Sequence, residues 1–139
     1  MPDAHAVLIV NQDVGFLFWL AELFGEIGYQ AFPALNCSQA LAVVRSLDLT
    51  PDLVFIDPDL SGVPRLLESL EKQGAPLRIV VTGDDSVLRA AGVRYDAVLG
   101  PTKGSEPVSR ADWLRKIRRL VAQFGFDSGL PLARREEDG

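Results

Sequence analysis

The chain has 139 residues, of which 47% are hydrophobic and 24% charged, a composition that fits one globular domain with a sizeable core. Its net charge of -5 argues against non-specific nucleic-acid binding, and its single histidine, His5, argues against a histidine-based metal site or a Ser-His-Asp triad. One cysteine, Cys37, cannot form an internal disulfide, no apolar run is long enough to cross a bilayer, and the first residues lack the pattern of a secretory signal. A cytoplasmic protein without a membrane or nucleic-acid partner is therefore expected.

Strand-like and helix-like segments alternate along the first half of the chain. Short continuous apolar runs predict buried strands, and apolar residues repeated every three or four positions predict helices. Gly28 is suited to end the first helix, and Pro33 to end the second strand. The predicted elements are a strand over residues 6–10, a helix over 16–27, a strand over 30–32, a helix over 38–47 and a strand over 53–56.

The same alternation continues through the second half. The predicted elements are a helix over residues 64–72, a strand over 77–81, a helix over 86–91, a strand over 97–99 and a helix over 111–124. Repeated strand–helix units predict an α/β fold, a doubly wound five-stranded parallel sheet with helices on both faces. We expect residues 1–125 to form this domain and residues 126–139 to form a flexible C-terminal tail.

Polar residues follow several of the predicted strands. Because the carboxyl ends of parallel strands meet at one edge of the sheet, these residues are expected to lie together, and an aspartate beside a hydroxyl at that edge predicts a ligand site. The residues are Asn11 and Gln12 after the first strand, Asp57 after the third, Thr82 after the fourth, and Gly100 and Pro101 after the fifth.

A set of short motifs indicates a family. They are VLIV-NQD, Gly28-Tyr29, PDLVFID, IVVTG, Gly92-Val93 and LGP. In their order and spacing, over residues 6–124, the chain resembles the receiver domains of bacterial response regulators, which have a flavodoxin-like fold. The resemblance implies that Asp57 is the phosphoacceptor and Thr82 the hydroxyl that senses the phosphoryl group. It also implies that Pro101 is the proline that follows the strand-five lysine.

The chain departs from the family pattern at the positions that concern metal binding. The family's acidic pair, which holds Mg²⁺, falls on Asn11 and Gln12, and its strand-five lysine falls on Gly100. Because Mg²⁺ prefers carboxylate oxygens, weak or absent Mg²⁺ binding is expected, at Asp57 with help from Asp59. Asn11 and Gln12 are expected to donate hydrogen bonds to the Asp57 carboxylate instead. No other cofactor is expected.

Two further residues are candidates to replace the missing groups. Lys103 is expected in solvent, with a return toward Asp57 as the alternative, since glycines flank its loop at positions 100 and 104. Asp13 lies one position beyond the acidic-pair positions, so its side chain should project elsewhere.

These features predict an atypical, stand-alone receiver domain of two-component signalling that acts mainly through protein–protein contacts and is not an enzyme. Phosphoryl transfer depends on positioning and charge stabilisation, so the missing acidic pair and lysine would remove most of it. The expected partner is a histidine kinase, a phosphotransfer protein or another signalling protein, and the remaining residues leave no room for a DNA-binding output domain. Two alternatives stay open: a receiver slowly phosphorylated on Asp57, and a small flavodoxin-like enzyme or nucleotide-binding protein. The second lacks a glycine-rich loop after the first strand.

The first helix has apolar residues on two sides. The side predicted to face the sheet consists of Phe16, Leu20, Leu23, Phe24 and Ile27, with Trp19 at its margin. Leu17, Phe18 and Ala21 are left on the outer side, where they predict a partner surface. The alternative is that apolar residues of the C-terminal tail cover this side, namely Phe126, Leu130 and Leu132.

The last helix is amphipathic. Its apolar residues are Trp113, Leu114, Ile117, Leu120, Val121 and Phe124. Its basic residues are expected to form a solvated face rather than a nucleic-acid site, because the chain is acidic: Arg115, Lys116, Arg118 and Arg119. A homodimer through this helix is a further hypothesis.

Overall fold

The computed structural model describes residues 5–74, 76–83, 86–99 and 110–124. Strands and helices alternate through these ranges. The strands are β1 (Ala6–Val10), β2 (Gln30–Ala34), β3 (Leu53–Ile56), β4 (Arg78–Thr82) and β5 (Ala97–Leu99). The helices are α1 (Val14–Glu26), α2 (Cys37–Ser46), α3 (Val63–Glu71), α4 (Ser86–Ala90) and α5 (Arg110–Phe124).

The five strands are parallel and form one sheet in the order β2-β1-β3-β4-β5. Each parallel connection needs a crossover, which the helices supply. The core on one face of the sheet contains residues of α1 and α5, and the core on the other face contains residues of α2, α3 and α4. The predicted doubly wound α/β fold is confirmed.

The central strands are buried on both faces. In β1, Leu8 and Val10 belong to the core beneath α2 and α3, whereas Val7 and Ile9 belong to the core beneath α1 and α5. β3 divides its side chains between the two cores in the same alternating way. This two-sided burial explains why both strands read as continuous apolar runs in the sequence.

The second strand is longer than predicted. It continues through Pro33, which pairs with Ile9, and ends at Ala34. β2 lies at the edge of the sheet, where a residue without a backbone N–H is tolerated. The bounds of β1, β3 and β5 are as predicted, and the ends of the other elements lie within two residues of the predicted ones. None of the helices in the described ranges has the length and apolar character needed to cross a membrane.

Helix α1 buries a wider face than the sequence predicts. Leu17 was assigned to the outer side, but it is only 1% exposed, so that assignment is wrong. Leu17 precedes Phe24 by seven residues, about two helical turns, and therefore shares its buried face. Phe18 is 56% exposed, in agreement with the predicted outer position. Ala21 is half-buried and packs against the core beneath α1 and α5, so its outer assignment does not hold fully. On α5, the four predicted basic residues from Arg115 to Arg119 are exposed.

A buried tyrosine lies beside a histidine and an aspartate at the amino edge of the sheet. The Tyr29 ring lies 5.5 Å from the His5 ring, and His5 Nδ1 is 3.4 Å from Asp52 Oδ2. The Tyr29 hydroxyl has no hydrogen-bond partner in the part of the chain that the structure describes. Burial, and secondly the charge of Asp52, raise the pKa of Tyr29 above its ordinary range.

Replacing Tyr29 by phenylalanine is expected to raise the free energy of unfolding by about 1 kcal/mol at pH 7, because an unpaired buried hydroxyl is removed and the ring remains. The raised pKa means that the folded state holds the phenol proton more tightly than the unfolded state. The contribution of this tighter proton binding to stability is complete below the ordinary phenol pKa of about 10. It is lost as the pH rises through the folded-state pKa.

Urea unfolding from pH 7 to 11 tests this prediction. The wild type should lose stability above pH ~10 more steeply than Tyr29→Phe. Tyr95→Phe is the control, since the chain has only two tyrosines. A Tyr29→Phe variant that is less stable than the wild type at pH 7 would show that the hydroxyl is satisfied.

Candidate functional site

Three polar side chains are buried in one row at the carboxyl edge of the sheet. Asn11 is 7% exposed, and Asp57 and Thr82 are each 5% exposed. Asn11 and Asp57 directly follow β1 and β3, and Thr82 is the last residue of β4. The residues just before these three pair in register across the three neighbouring strands. The parallel register therefore brings together the residues that the sequence placed at this edge.

A tight turn after β3 holds Asp57 in place. Its backbone N–H donates to the Val10 carbonyl oxygen at 3.0 Å, which extends the ladder between β1 and β3 by one residue. Its side-chain Oδ1 accepts a hydrogen bond from the Asp59 N–H at 3.0 Å, and its carbonyl oxygen accepts from the Leu60 N–H at 3.2 Å. The aspartate thus closes the turn with its own side chain.

Thr82 is joined to the same turn from the neighbouring strand. Its hydroxyl donates to the carbonyl oxygen of Ile56 at 3.4 Å. Ile56 is the residue immediately before Asp57, so the hydroxyl is tied to the backbone that presents the carboxylate. This contact therefore connects Thr82 with the backbone next to Asp57, the two residues that the family resemblance singles out.

The amide positions do not bond to Asp57 as predicted. Asn11 Oδ1 accepts a hydrogen bond from the Asp13 N–H at 2.8 Å, and Gln12 is exposed. Among the described residues, neither Asn11 nor Gln12 donates to the Asp57 carboxylate, so that expectation is wrong. Asn11 closes the turn into α1 with its side-chain oxygen. Asp13 projects elsewhere, as predicted, because its Oδ1 caps α1 by accepting from the Phe16 N–H at 3.2 Å.

Comparisons with known proteins identify the fold. No protein-family model matches the chain. Over 78 residues the chain is 33% identical to sporulation initiation phosphotransferase F of Bacillus subtilis. The matched residues make up 54% of this chain and 60% of the length of that protein. A CheY-like response regulator receiver domain protein from Methanospirillum hungatei superposes with a TM-score of 0.66 over 90% of this chain and 99% of its own, at 21% identity. The chain has the receiver fold.

A second solved structure agrees. A two-component response regulator from Clostridium difficile gives a TM-score of 0.62 over 86% of this chain and 98% of its own, at 21% identity. The resemblance to response-regulator receiver domains that the sequence motifs indicate is therefore confirmed.

The oxygen donors of this receiver-like chain do not match the carboxylate-rich set that Mg²⁺ prefers. Asp57 is the buried carboxylate of the row, the Asn11 oxygen is engaged by a backbone N–H, and Asp59 is exposed. Within the described ranges, no three His, Cys, Asp or Glu side chains are grouped so that they could hold a metal ion. Each side chain of the row is hydrogen-bonded to a backbone group.

The sequence reasoning missed two neighbours of the row. Cys37, the first residue of α2, is 5% exposed, and burial, with the charge of Asp57 as the second cause, raises the pKa of its thiol. A Cβ placed on Gly62, the residue before α3, would lie 3.6 Å from the Cys37 Cβ. The sequence signal that could have placed Cys37 here is the helix cap before it. Asn36 Oδ1 accepts from the Gln39 N–H at 2.8 Å, so α2 begins at the carboxyl edge of the sheet.

Cys37 reports on the charge of Asp57. The Asp57→Asn variant is expected to shift the pH profile of Cys37 alkylation to lower pH by less than about one unit, because the second cause of the raised pKa is removed while burial remains. Iodoacetamide labelling followed by mass spectrometry measures it, and the single cysteine makes the assignment unambiguous. Asp59→Asn, at an exposed position, should leave the profile unchanged. An identical shift in both variants would mean that Asp57 is not the charge that the thiol senses.

The predicted loop after the fifth strand lies outside the described residues. This concerns Gly100, Pro101 and Lys103, and also the C-terminal tail of residues 126–139. The expectations for the loop and for the domain boundary at residue 125 therefore stay predictions.

Proposed function

We propose that the chain is an atypical receiver-like signalling module that acts mainly through protein–protein contacts. The observation that supports the proposal is the buried row of Asn11, Asp57 and Thr82. In this row an aspartate and a hydroxyl stand at the positions of the family's phosphoacceptor and switch hydroxyl, while one position of the acidic pair is a buried amide. A transferring phosphoryl group carries charge that must be balanced by positioned groups. In receivers a bound Mg²⁺ would supply part of that positive charge, and Mg²⁺ prefers carboxylate ligands. Because this edge offers one carboxylate with amide neighbours, Mg²⁺ binding here is proposed to be weak or absent.

The partners proposed for this module are a histidine kinase, a phosphotransfer protein or another signalling protein. The name of the Bacillus subtilis relative places that protein in phosphotransfer, which supports a role for this chain in a phosphorelay. A homodimer through α5 stays a hypothesis, for which the helix offers an exposed basic face beside its buried apolar side. No enzymatic activity, nucleic-acid partner or membrane partner is proposed, and a cytoplasmic location is part of the proposal.

A second candidate function is slow phosphorylation of Asp57. The observation that favours it is the hydrogen bond from the Thr82 hydroxyl to the carbonyl oxygen of Ile56. Since Ile56 directly precedes Asp57, this bond holds the hydroxyl beside the backbone that carries the aspartate. In this case Asn11 and Gln12 would weaken the switch without removing it. Nothing in the described residues favours a flavodoxin-like enzyme or a nucleotide-binding protein over these two functions.

Labelling with acetyl phosphate in millimolar Mg²⁺ separates the two functions. For a degenerate site, we expect the wild type to incorporate no more label than Asp57→Asn, because Asp57 then accepts no phosphoryl group. Asp48→Asn is the matched control, at an exposed position away from the row. Label that is present in the wild type and in Asp48→Asn, but absent from Asp57→Asn, would establish the slow phosphoswitch instead.

A further inference from the structure

A groove of about 610 Å³ lies at the amino edge of the sheet, opposite the edge that holds the buried polar row. The starts of β1 and β2 form one side of it, and the end of α2 with the loop that follows forms the other. Its apolar lining includes Phe32, Leu47 and Leu49, and Leu47 is 57% exposed. Cavities of about 300–1,000 Å³ hold ligands of drug size, so the groove has room for long side chains of a second molecule.

Two carboxylates give this groove a negative lining. Asp48 and Asp52 both line it, and its described lining contains no lysine or arginine. Asp52 is partly engaged, because its Oδ2 accepts from the Ala6 N–H at 2.9 Å and lies 3.4 Å from His5 Nδ1. The Asp48 carboxylate is exposed and forms no ion pair with any residue that the structure describes. The groove therefore matches a cation carried by another molecule.

The position of Asp48 is unfavourable for a carboxylate in two respects. It follows Leu47, the C-cap of α2, where the negative end of the helix dipole repels an acidic side chain. Its φ of 50° lies in the left-handed region, where glycine is the usual residue after a helix. Arg45, in the last turn of α2, does not line the groove. A cation bound beside Asp48 would offset the first of these two costs.

Helix α5 carries cations that match the groove. Lys116, Arg118 and Arg119, here called the α5 cations, are exposed and pair with no described residue, whereas Arg115 pairs with Asp112. α5 packs against the same face of the sheet as α1, and the apolar residues of the groove belong to the face covered by α2 and α3. The α5 cations are therefore on the wrong side of the sheet to enter the groove of their own chain.

We propose that the α5 cations of one copy of this chain dock in the groove of a second copy. Long basic side chains bury their apolar stems and keep their charged ends at polar groups, so Phe32 and Leu47 suit the stems and Asp48 the charges. An α5–α5 contact would instead oppose like charges. Because groove and cations lie on opposite faces, the contact runs head to tail from copy to copy. It goes beyond the proposed function and does not involve Asp57.

Two variants of the full chain separate the two halves of the contact. Asp48→Arg, the groove variant, reverses the charge of the groove and keeps α5, whereas Arg118→Gln with Arg119→Gln, the α5 variant, keeps the groove. In sedimentation equilibrium, the wild-type mass should rise past two copies with concentration, and each variant alone should associate roughly fivefold more weakly. An equimolar mixture should recover two-copy complexes, because each variant supplies the half that the other lacks. Glu68→Arg, exposed on α3, is the control and should associate as the wild type does.

Asp48→Asn keeps the test independent of folding. Asparagine is among the residues that tolerate the left-handed region, so this variant removes the charge without adding backbone strain. It should weaken association roughly two- to fivefold. A wild type that stays at one copy at all concentrations, or unweakened association in the groove or α5 variant, would overturn the proposal. Loss in the α5 variant alone would assign the α5 cations to another surface and would overturn it as well.

His5, the single histidine of the chain, reports on the groove that it lines. An isotope-labelled α5 variant supplies the groove, and the unlabelled groove variant, Asp48→Arg, supplies the α5 cations. The NMR signals of the His5 ring should shift saturably as the groove variant is added, and they should not move when unlabelled α5 variant is added instead. Shifts confined to residues outside the groove would place the contact elsewhere and would overturn the proposal.

Discussion

Restoring carboxylates at positions 11 and 12 is expected to give the chain a saturable Mg²⁺ response, which we propose is weak or absent in the wild type. In the Asn11→Asp and Gln12→Asp double variant, three carboxylates meet at one edge, which is the donor set that Mg²⁺ prefers. Asn11 already accepts a hydrogen bond from the Asp13 N–H through its side-chain oxygen, and aspartate can keep that bond. The variant therefore changes charge while the local turn is retained.

The same variant should lose stability when no metal is present. A second carboxylate at position 11, which is 7% exposed, repels the buried Asp57, and we expect the free energy of unfolding to fall by roughly 1–3 kcal/mol. Position 12 is exposed, so its carboxylate contributes less to this loss. Mg²⁺ at ten times its dissociation constant should return about 1.4 kcal/mol, because binding to the folded state shifts the unfolding equilibrium.

Thermal or urea unfolding with increasing Mg²⁺ measures both effects. Gln30→Glu combined with Gln123→Glu is the charge-matched control, since it adds two exposed carboxylates away from the row. This control should show no saturable Mg²⁺ response. Equal titration curves for the wild type and the double variant would show that the acidic-pair positions do not determine metal binding here.

Removing the ring of Phe24 is expected to produce the largest loss of stability on α1. Phe24 is 0% exposed, and the centroid of its ring lies 5.1 Å from that of the Phe55 ring and 5.5 Å from that of the Tyr29 ring. Phe24→Ala should lower the free energy of unfolding by about 3–5 kcal/mol, because it opens a cavity in the core and breaks two aromatic contacts. Urea unfolding measures the change.

Phe18→Ala is the matched control on the same helix. Phe18 is 56% exposed, so the same substitution should lower the free energy of unfolding by about 1 kcal/mol or less. Similar losses in both variants would contradict the two-sided description of α1.

The order of elements follows directly from the sequence, because helical and strand periodicities are local properties. The continuous apolar runs of β1 and β3 already indicated strands covered on both faces. Asp57 and Thr82 were also identified, because any residue that ends a central parallel strand must lie at the carboxyl edge. Here the topology leaves few alternatives, and each prediction needed only the residues of its own segment.

The remaining features depend on contacts between segments that are distant in the sequence. Leu17 is buried because of how α1 is rotated against the sheet and α5, which its own apolar pattern does not determine when both sides of the helix are apolar. Burial, and secondly the charge of Asp57, raise the pKa of Cys37, because the fold brings the start of α2 into the same core as Ile56. The Asn11 side-chain oxygen accepts from the Asp13 N–H in the turn into α1, whereas the sequence predicted a donor role toward Asp57. The sequence thus determined which residues stand at the edge of the sheet, and only tertiary packing decided which of them interact.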